Sequence, residues 1–205
     1  MSRKIIPAKV AKVKDNIIQA SIKLIVKDGF SKFTLTSVAQ SIGVTKAAIY
    51  WYFPDKNTLI EEIANYVKNN FIGSAQKIVK MQLTSQEKLV KILSYNASTK
   101  DDLLCILPIK MFLEYYSEEN TVKEIIHKNY LEYIDIISSI LQNGVATGEL
   151  DSSVPIDTIA KFIVGGMDGM ILQSAILKED PSVLVNQFIL MTLELILPRE
   201  RRTIR

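Results

Sequence analysis

Over the first sixty residues, apolar positions recur at steps of three and four. Val10, Val13, Ile17, Ala20 and Leu24 share one side while lysines take the others, which predicts an amphipathic helix over about 8–27. Gly29, tolerant of positive φ, ends it. Thr34 then suits the cap of a short helix to Ile42, with Val38 and Ala39 on its inner side. Gly43 and Val44 read as a tight break. Thr45 caps a third helix, Lys46 to Phe53, which Pro54 cannot continue, and Asp55 opens a longer fourth helix towards Met81.

The remainder carries the same punctuation. Thr84 and Glu87 form a capping box ahead of a helix to about Ala97, and Thr99 with Asp102 opens another that should kink or break near Pro108. Val122, Ile125, Ile126, Tyr130, Tyr133, Ile137 and Leu141 mark a long helix over about 120–143, with Gly144 and Gly148 ending it. Pro155 and Pro181 suit the first turns of two last helices, the second capped by Asp180. No β-alternation is visible. The expected fold class is all-α, about nine helices, divided into an N-terminal domain over 1–56 and a helical domain over 57–205.

Composition adds limits. With 48% hydrophobic and 23% charged residues, the 205-residue chain belongs among globular proteins. Its longest uncharged stretches, such as Pro181 to Leu193, are too short for a bilayer span of roughly 18 apolar residues, and no secretory signal follows Arg3 and Lys4. A cytoplasmic protein without membrane partners is expected. Residues 1–60 hold ten Lys/Arg against three Asp, a balance of +7 within a total of only +3, so the rest is net acidic. Such asymmetry fits one end meeting a polyanion, although a solvated lysine face explains the charge equally well.

Three short helices with glycine in the turn between the second and third match a helix-turn-helix, whose last helix enters the DNA major groove. Val38, Ala39, Val44 and Ile49 would pack the pair together, leaving Thr45, Lys46, Ala47, Tyr50 and Trp51 facing outward. Tyr50, Trp51, Tyr52 and Phe53 cover the whole circumference of a helix at about 100° per residue, so some must be exposed. Tyr52 and Phe53 are assigned to the core, Tyr50 and Trp51 to a contact surface.

Gly29-Phe30, Thr34 to Ala39, Gly43-Val44-Thr45 and Ile49 to Lys56 together resemble the DNA-binding domain of tetracycline-repressor (TetR-like) regulators over about the first quarter of the chain. Phe33, Ser37, Ile42 and Ala47-Ala48 depart from the usual Thr, acidic, small and Gly-Thr residues. The resemblance implies DNA contacts from Thr34 and Thr36, phosphate binding by Thr45, a guanine contact from Lys46, and thymine methyl contacts from Ala47 and Ala48. It further implies backbone or base contacts from Tyr50 and Trp51, and phosphate binding by Lys56 through its ammonium and nearby N–H groups.

In the last two helices the apolar content exceeds one stripe: Ile159, Phe162, Ile163, Met167, Met170 and Ile171, then Val183, Leu184, Phe188, Met191 and Leu195. Gly165, Gly166 and Gly169 leave room for close packing. The pattern suits a twofold homodimer with Phe162, Gly166, Ile171, Val183, Phe188 and Met191 at the interface, as in TetR-like bundles; an intramolecular core is the other reading. Met111, Phe112, Tyr115, Tyr116, Tyr130, Tyr133, Met167 and Met170 form a second set, either plain core or the lining of a small-molecule pocket. The resemblance favours a pocket for a lipophilic effector, such as a fatty acyl thioester or drug-like compound.

Enzyme chemistry finds little purchase. Glu124 and His127 form one Glu-x-x-His unit, but di-iron bundles need two, and the chain has a single histidine and a single cysteine, Cys105. They read as a helix surface pair and a buried small side chain. No catalytic residue, metal site or cofactor is expected. The sequence thus points to a dimeric regulator, expected to be a repressor released from a palindromic operator by its effector; the rival is a helical adaptor that reads no sequence.

Overall fold

A computed structural model describes residues 7–97, 102–117, 120–198 and 200. Its helices are α1 (Pro7–Asp28), α2 (Leu35–Ser41), α3 (Lys46–Tyr52), α4 (Lys56–Val79), α5 (Ser85–Ala97), α6 (Asp102–Tyr115), α7 (Thr121–Ala146), α8 (Ile156–Leu177) and α9 (Pro181–Ile196). No strand occurs among the described residues. The fold is all-α, with an N-terminal helix-turn-helix and a C-terminal helical domain.

Local chemistry explains most helix ends. Thr84 and Glu87 make the expected capping box, the carboxylate accepting from Thr84 N at 2.9 Å and the hydroxyl accepting from Glu87 N at 3.1 Å. Asp55, Asn120 and Asp180 cap α4, α7 and α9, and Pro181 opens α9. The expected Thr99 cap lies outside the described residues.

Other expectations give way to tertiary packing. Gly144 does not end α7 but lies buried inside it, because a Cβ there would stand 2.6 Å from the Leu150 side chain and 3.0 Å from Ser85. Gly148, at φ 72°, follows the true end. Pro108 does not break α6, whose neighbours Leu104, Leu107 and Met111 are buried and hold the helix through it. Pro155 sits at the N-cap of α8, one position before the first turn.

Two hydrophobic cores result. One joins α1, α2, α3 and the first half of α4 to Leu104, Leu107, Met111 and Tyr115 of α6 and Val122 of α7. The other joins Ala75 and Ile78 of α4 and Cys105 of α6 to α5, α7, α8 and α9. Helices α4, α6 and α7 therefore belong to both. By length and composition α8 would cross a membrane, yet Ile159, Ala160, Ile163, Val164, Met167 and Ile171 along it are buried in the second core.

The α8–α9 pair divides the predicted interface set. Phe162, Val183 and Met191 are exposed, with Leu172, Ile176, Leu190 and Leu195 beside them in the same two helices. Ile171 and Phe188 are instead buried within the chain, since α9 lays the Phe188 ring on α8. Gly166 serves that contact, as a Cβ there would be 2.4 Å from the ring, whereas Gly165 and Gly169 face open space.

Candidate functional site

The recognition segment is built from its turn outward. Gly43, at φ 69°, follows α2, and Val44 N donates to Ala39 O (3.0 Å) while Gly43 N donates to Gln40 O (3.3 Å). This is the paired carbonyl capping of a left-handed helix stop, and it fixes the angle between α2 and α3. Thr45 then caps α3 by accepting from Ala48 N at 3.2 Å. Val38, Ala39, Ile49 and Phe53 are buried and clamp the helix from behind. Val44, expected among them, is 40% exposed; its backbone closes the turn while its side chain lines a groove with Val13, Ala20, Leu24 and Ile42.

The opposite face is open. Thr45, Lys46 and Ala47 are exposed, Ala48 partly so, Tyr50 is 43% and Trp51 60% exposed. Lys46 Nζ lies 5.4 Å from the Tyr50 ring centre, and Trp51 rests edge-on against the half-buried Tyr52 at 4.6 Å. Thr34 and Thr36 are exposed at the start of α2. Thr34 Oγ1 accepts from Ser37 N (3.0 Å) and Ser37 Oγ accepts from Thr34 N (3.0 Å), so Ser37 completes a capping box without a carboxylate on this face. An uncharged cap here avoids repelling a polyanion.

Lys56 is placed differently from the expectation. Its ammonium donates to Phe30 O at 3.0 Å and lies 5.5 Å from the centre of the buried Phe33 ring. Phe33 gives the ammonium an apolar seat, so this charge is turned inward.

The second feature is a cavity of about 430 Å³ between α4, α6, α7 and α8. Of the second candidate set, Met111, Phe112, Tyr130, Tyr133 and Met167 line it. Tyr115 does not; it is buried edge-on against Phe30, 5.6 Å between ring centres, in the first core. Tyr116 is exposed beyond the end of α6, and Met170 packs into the second core. The sequence reading missed Phe71, Ile72, Lys68 and Asp168, and gave no cavity role to Cys105 or His127, which both line it.

Two charged features stand out in this apolar lining. Lys68 Nζ pairs with Glu132 at 2.8 Å. Asp168 hydrogen-bonds with Tyr130, and burial pushes its carboxyl up to about 6 against the pull of that bond. Burial, then the nearby Asp168 charge, push the Tyr130 phenol up to about 12. Tyr130 therefore stays protonated and is the donor.

Helix α6 ties the cavity to α1 and the loop that follows it. Cys105, Pro108, Ile109, Met111 and Phe112 line the cavity, while Lys110 Nζ donates to Val26 O of α1 at 2.8 Å and Tyr115 meets Phe30. Among the described residues, no cluster of His, Cys, Asp and Glu suits a metal ion.

Comparison with known proteins follows this division. Residues 17–63 match the model of bacterial regulatory proteins of the tetR family, and residues 87–184 match the tetracyclin repressor-like C-terminal domain. The chain is 25% identical over 154 residues to the fatty acid metabolism regulator protein of Bacillus subtilis, covering 74% of this chain and 78% of that one. It is 26% identical over 174 residues to the probable acrEF/envCD operon repressor of Escherichia coli, covering 80% and 76%. The crystal structure of FadR from Bacillus subtilis in complex with stearoyl-CoA shares the fold, with a TM-score of 0.73 at 23% identity over 87% of this chain and 96% of that one.

Proposed function

Because the chain belongs to the TetR family of transcriptional regulators, we propose that it is a cytoplasmic, dimeric repressor released from a palindromic operator by a lipophilic small molecule. Residues 1–56 are the reading head and 57–205 the ligand-sensing and dimerising body. The observation that carries this reading is the outward face of α3, where Lys46, Tyr50 and Trp51 stand on a helix whose reverse is clamped by Ile49 and Phe53. Lys46 reaches guanine O6/N7, Ala47 and Ala48 meet thymine methyls, Tyr50 and Trp51 contact sugar-phosphate or base edges, and Thr34, Thr36 and Thr45 hold phosphates. Lys56 contributes by bracing Phe30 and Phe33 through its ammonium rather than by offering that charge to phosphate.

Dimerisation accounts for the exposed apolar side chains of α8 and α9. Phe162, Leu172, Ile176, Val183, Leu190, Met191 and Leu195 would be covered by the same residues of a second copy, with Gly165 and Gly169 letting the helices approach. Two recognition helices on one DNA face then sit roughly 34–36 Å apart and require an inverted repeat.

The effector enters the cavity between α4, α6, α7 and α8. A ligand shifts an equilibrium only by its differential affinity for the two states, so its contacts must lie on elements that differ between them. Helix α6 qualifies, because it meets the cavity through Met111 and Phe112, α1 through Lys110, and Phe30 in the loop after α1 through Tyr115; α4 qualifies through Phe71 and Ile72 and because it follows α3 in the chain after a short turn. Support for a lipophilic effector comes from the apolar lining and from the relatives named for fatty acid metabolism and the acrEF/envCD operon.

Selection from a random duplex pool tests the reading. An inverted repeat should be enriched, its affinity should fall steeply with salt, and Lys46→Ala with Tyr50→Ala should weaken it by about 100-fold or more. Enrichment of nothing, or unchanged affinity in the double variant, overturns it.

A further inference from the structure

An oily cavity has no need of a carboxyl group, yet α8 brings Asp168 into this one beside Val164, Met167 and Ile171. A buried carboxylate is ordinarily matched by a basic side chain. Here Tyr130 supplies a neutral hydrogen bond, and among the described residues no basic side chain pairs with Asp168. The other titratable groups on the cavity wall leave that charge unmatched: Lys68 of α4 is held by Glu132, while α6 offers Cys105 and α7 offers His127, Tyr130 and Tyr133. Phe71, Phe112, Tyr130 and Tyr133 add aromatic rings, whose faces attract cations.

We propose that the effector is a lipophilic amine, its ammonium lodged against the Asp168 carboxylate and the aromatic wall, its apolar body along α4 and α6. This rests on the cavity being the effector site. An anionic head, whether a carboxylate or the phosphates of a thioester cofactor, would bring a second negative charge towards Asp168 and find no unpaired Lys or Arg on the described lining. The raised Asp168 pKa fits the same picture: at neutral pH the group is ionised but poorly solvated, and an incoming ammonium supplies the compensation that the fold withholds.

Calorimetric titration at pH 7.5 with decylamine, decanoic acid and 1-decanol, on the wild-type chain and on Asp168→Asn, tests this. In the wild type decylamine should bind about ten-fold or more tightly than decanoic acid, as a charge-assisted contact predicts, and 1-decanol should compete with it. Asp168→Asn should lower decylamine affinity about ten-fold while leaving 1-decanol within about two-fold, which also shows that the variant is folded. Equal decylamine affinity in the two proteins, or a wild-type preference for decanoic acid, overturns the amine assignment while the cavity reading stands. Failure of all three probes to bind the wild type removes the cavity reading, and the amine with it.

Discussion

Among the surfaces that expose large apolar side chains in the described residues, two have opposite surroundings. On α3, Trp51 and Tyr50 stand within two turns of Thr45 and Lys46, and the Lys46 ammonium lies over the Tyr50 ring. On α8 and α9, Ile176 at 70%, Met191 at 69% and Leu190 at 63% exposure stand among other aliphatics, with no charged residue between Pro181 and Leu193. Equal exposure thus asks for different partners. Amphipathic aromatics beside hydroxyls and a cation suit a polar, anionic surface that also has apolar edges, whereas a bare aliphatic face suits only another of its kind.

The largest effect should follow from charging the aliphatic face. Leu190→Glu with Met191→Glu places unpaired carboxylates in the proposed twofold contact, each repeated by symmetry. Unpaired buried charges cost about 3–5 kcal/mol, so sedimentation should show dimer dissociation rising by on the order of 1,000-fold. Operator affinity should fall with it, while each chain keeps its helical content. A double variant that remained dimeric at micromolar concentration would leave this face without its assigned partner.

Next in size is a contrast inside the reading head. Phe53 is fully buried with Lys14 Nζ 5.5 Å from its ring centre, while Trp51 is the most open aromatic of α3. Urea unfolding of Phe53→Ala should show a loss of about 3–5 kcal/mol, whereas Trp51→Ala should cost about 1 kcal/mol or less and weaken DNA binding instead. Comparable losses in the two variants would mean that Trp51 is structural, and the outward face of α3 would lose its strongest member.

How much of this was legible in the sequence depended on distance along the chain. The turn at Gly43, the caps at Thr34, Thr45, Asp55, Thr84 and Asp180, and the division of Tyr50 and Trp51 from Tyr52 and Phe53 all rest on contacts within a few residues. Sequence alone reaches those. Gly144 was misjudged as a helix end because its reasons are the Leu150 and Ser85 side chains packed on it, and Gly166 leaves room for close packing as expected, the ring that fills that room being Phe188 of the same chain. Tyr115 looked like cavity lining because it lies one turn beyond Met111, but Phe30 of the first core takes its ring. Phe71 and Lys68 escaped notice because only the Met and aromatic stripes beyond Pro108 were read for a pocket. Asp168 did so because a charged residue in an apolar helix, like the exposed Asp157 and Lys161, looks like part of its solvent side, and α8 has a cavity there instead.

Asp168 also sharpens the comparison from the other direction, as a polar group placed inside the apolar half of the molecule. Its carboxyl is raised from 3.8 to about 6 in the folded chain. The native state therefore holds the proton more tightly than the unfolded one, and the stability this contributes is complete below pH 3.8 and is lost as pH rises through 6. At about 1.4 kcal/mol per pKa unit, ionising this group weakens the empty protein by up to about 3 kcal/mol at pH 8. Asp168→Asn keeps an acceptor for the Tyr130 hydroxyl and removes the ionisation. Urea unfolding should find the variant more stable than the wild type at pH 8, by about 1–3 kcal/mol, with the difference closing towards pH 4. Taking the difference between the two proteins cancels the capping carboxylates Asp55, Glu87 and Asp180, whose lowered pKa values make them lose stabilisation as pH falls. A variant less stable than the wild type at pH 8 would mean that the carboxylate holds the fold together, and a charge kept for structure need not await a ligand.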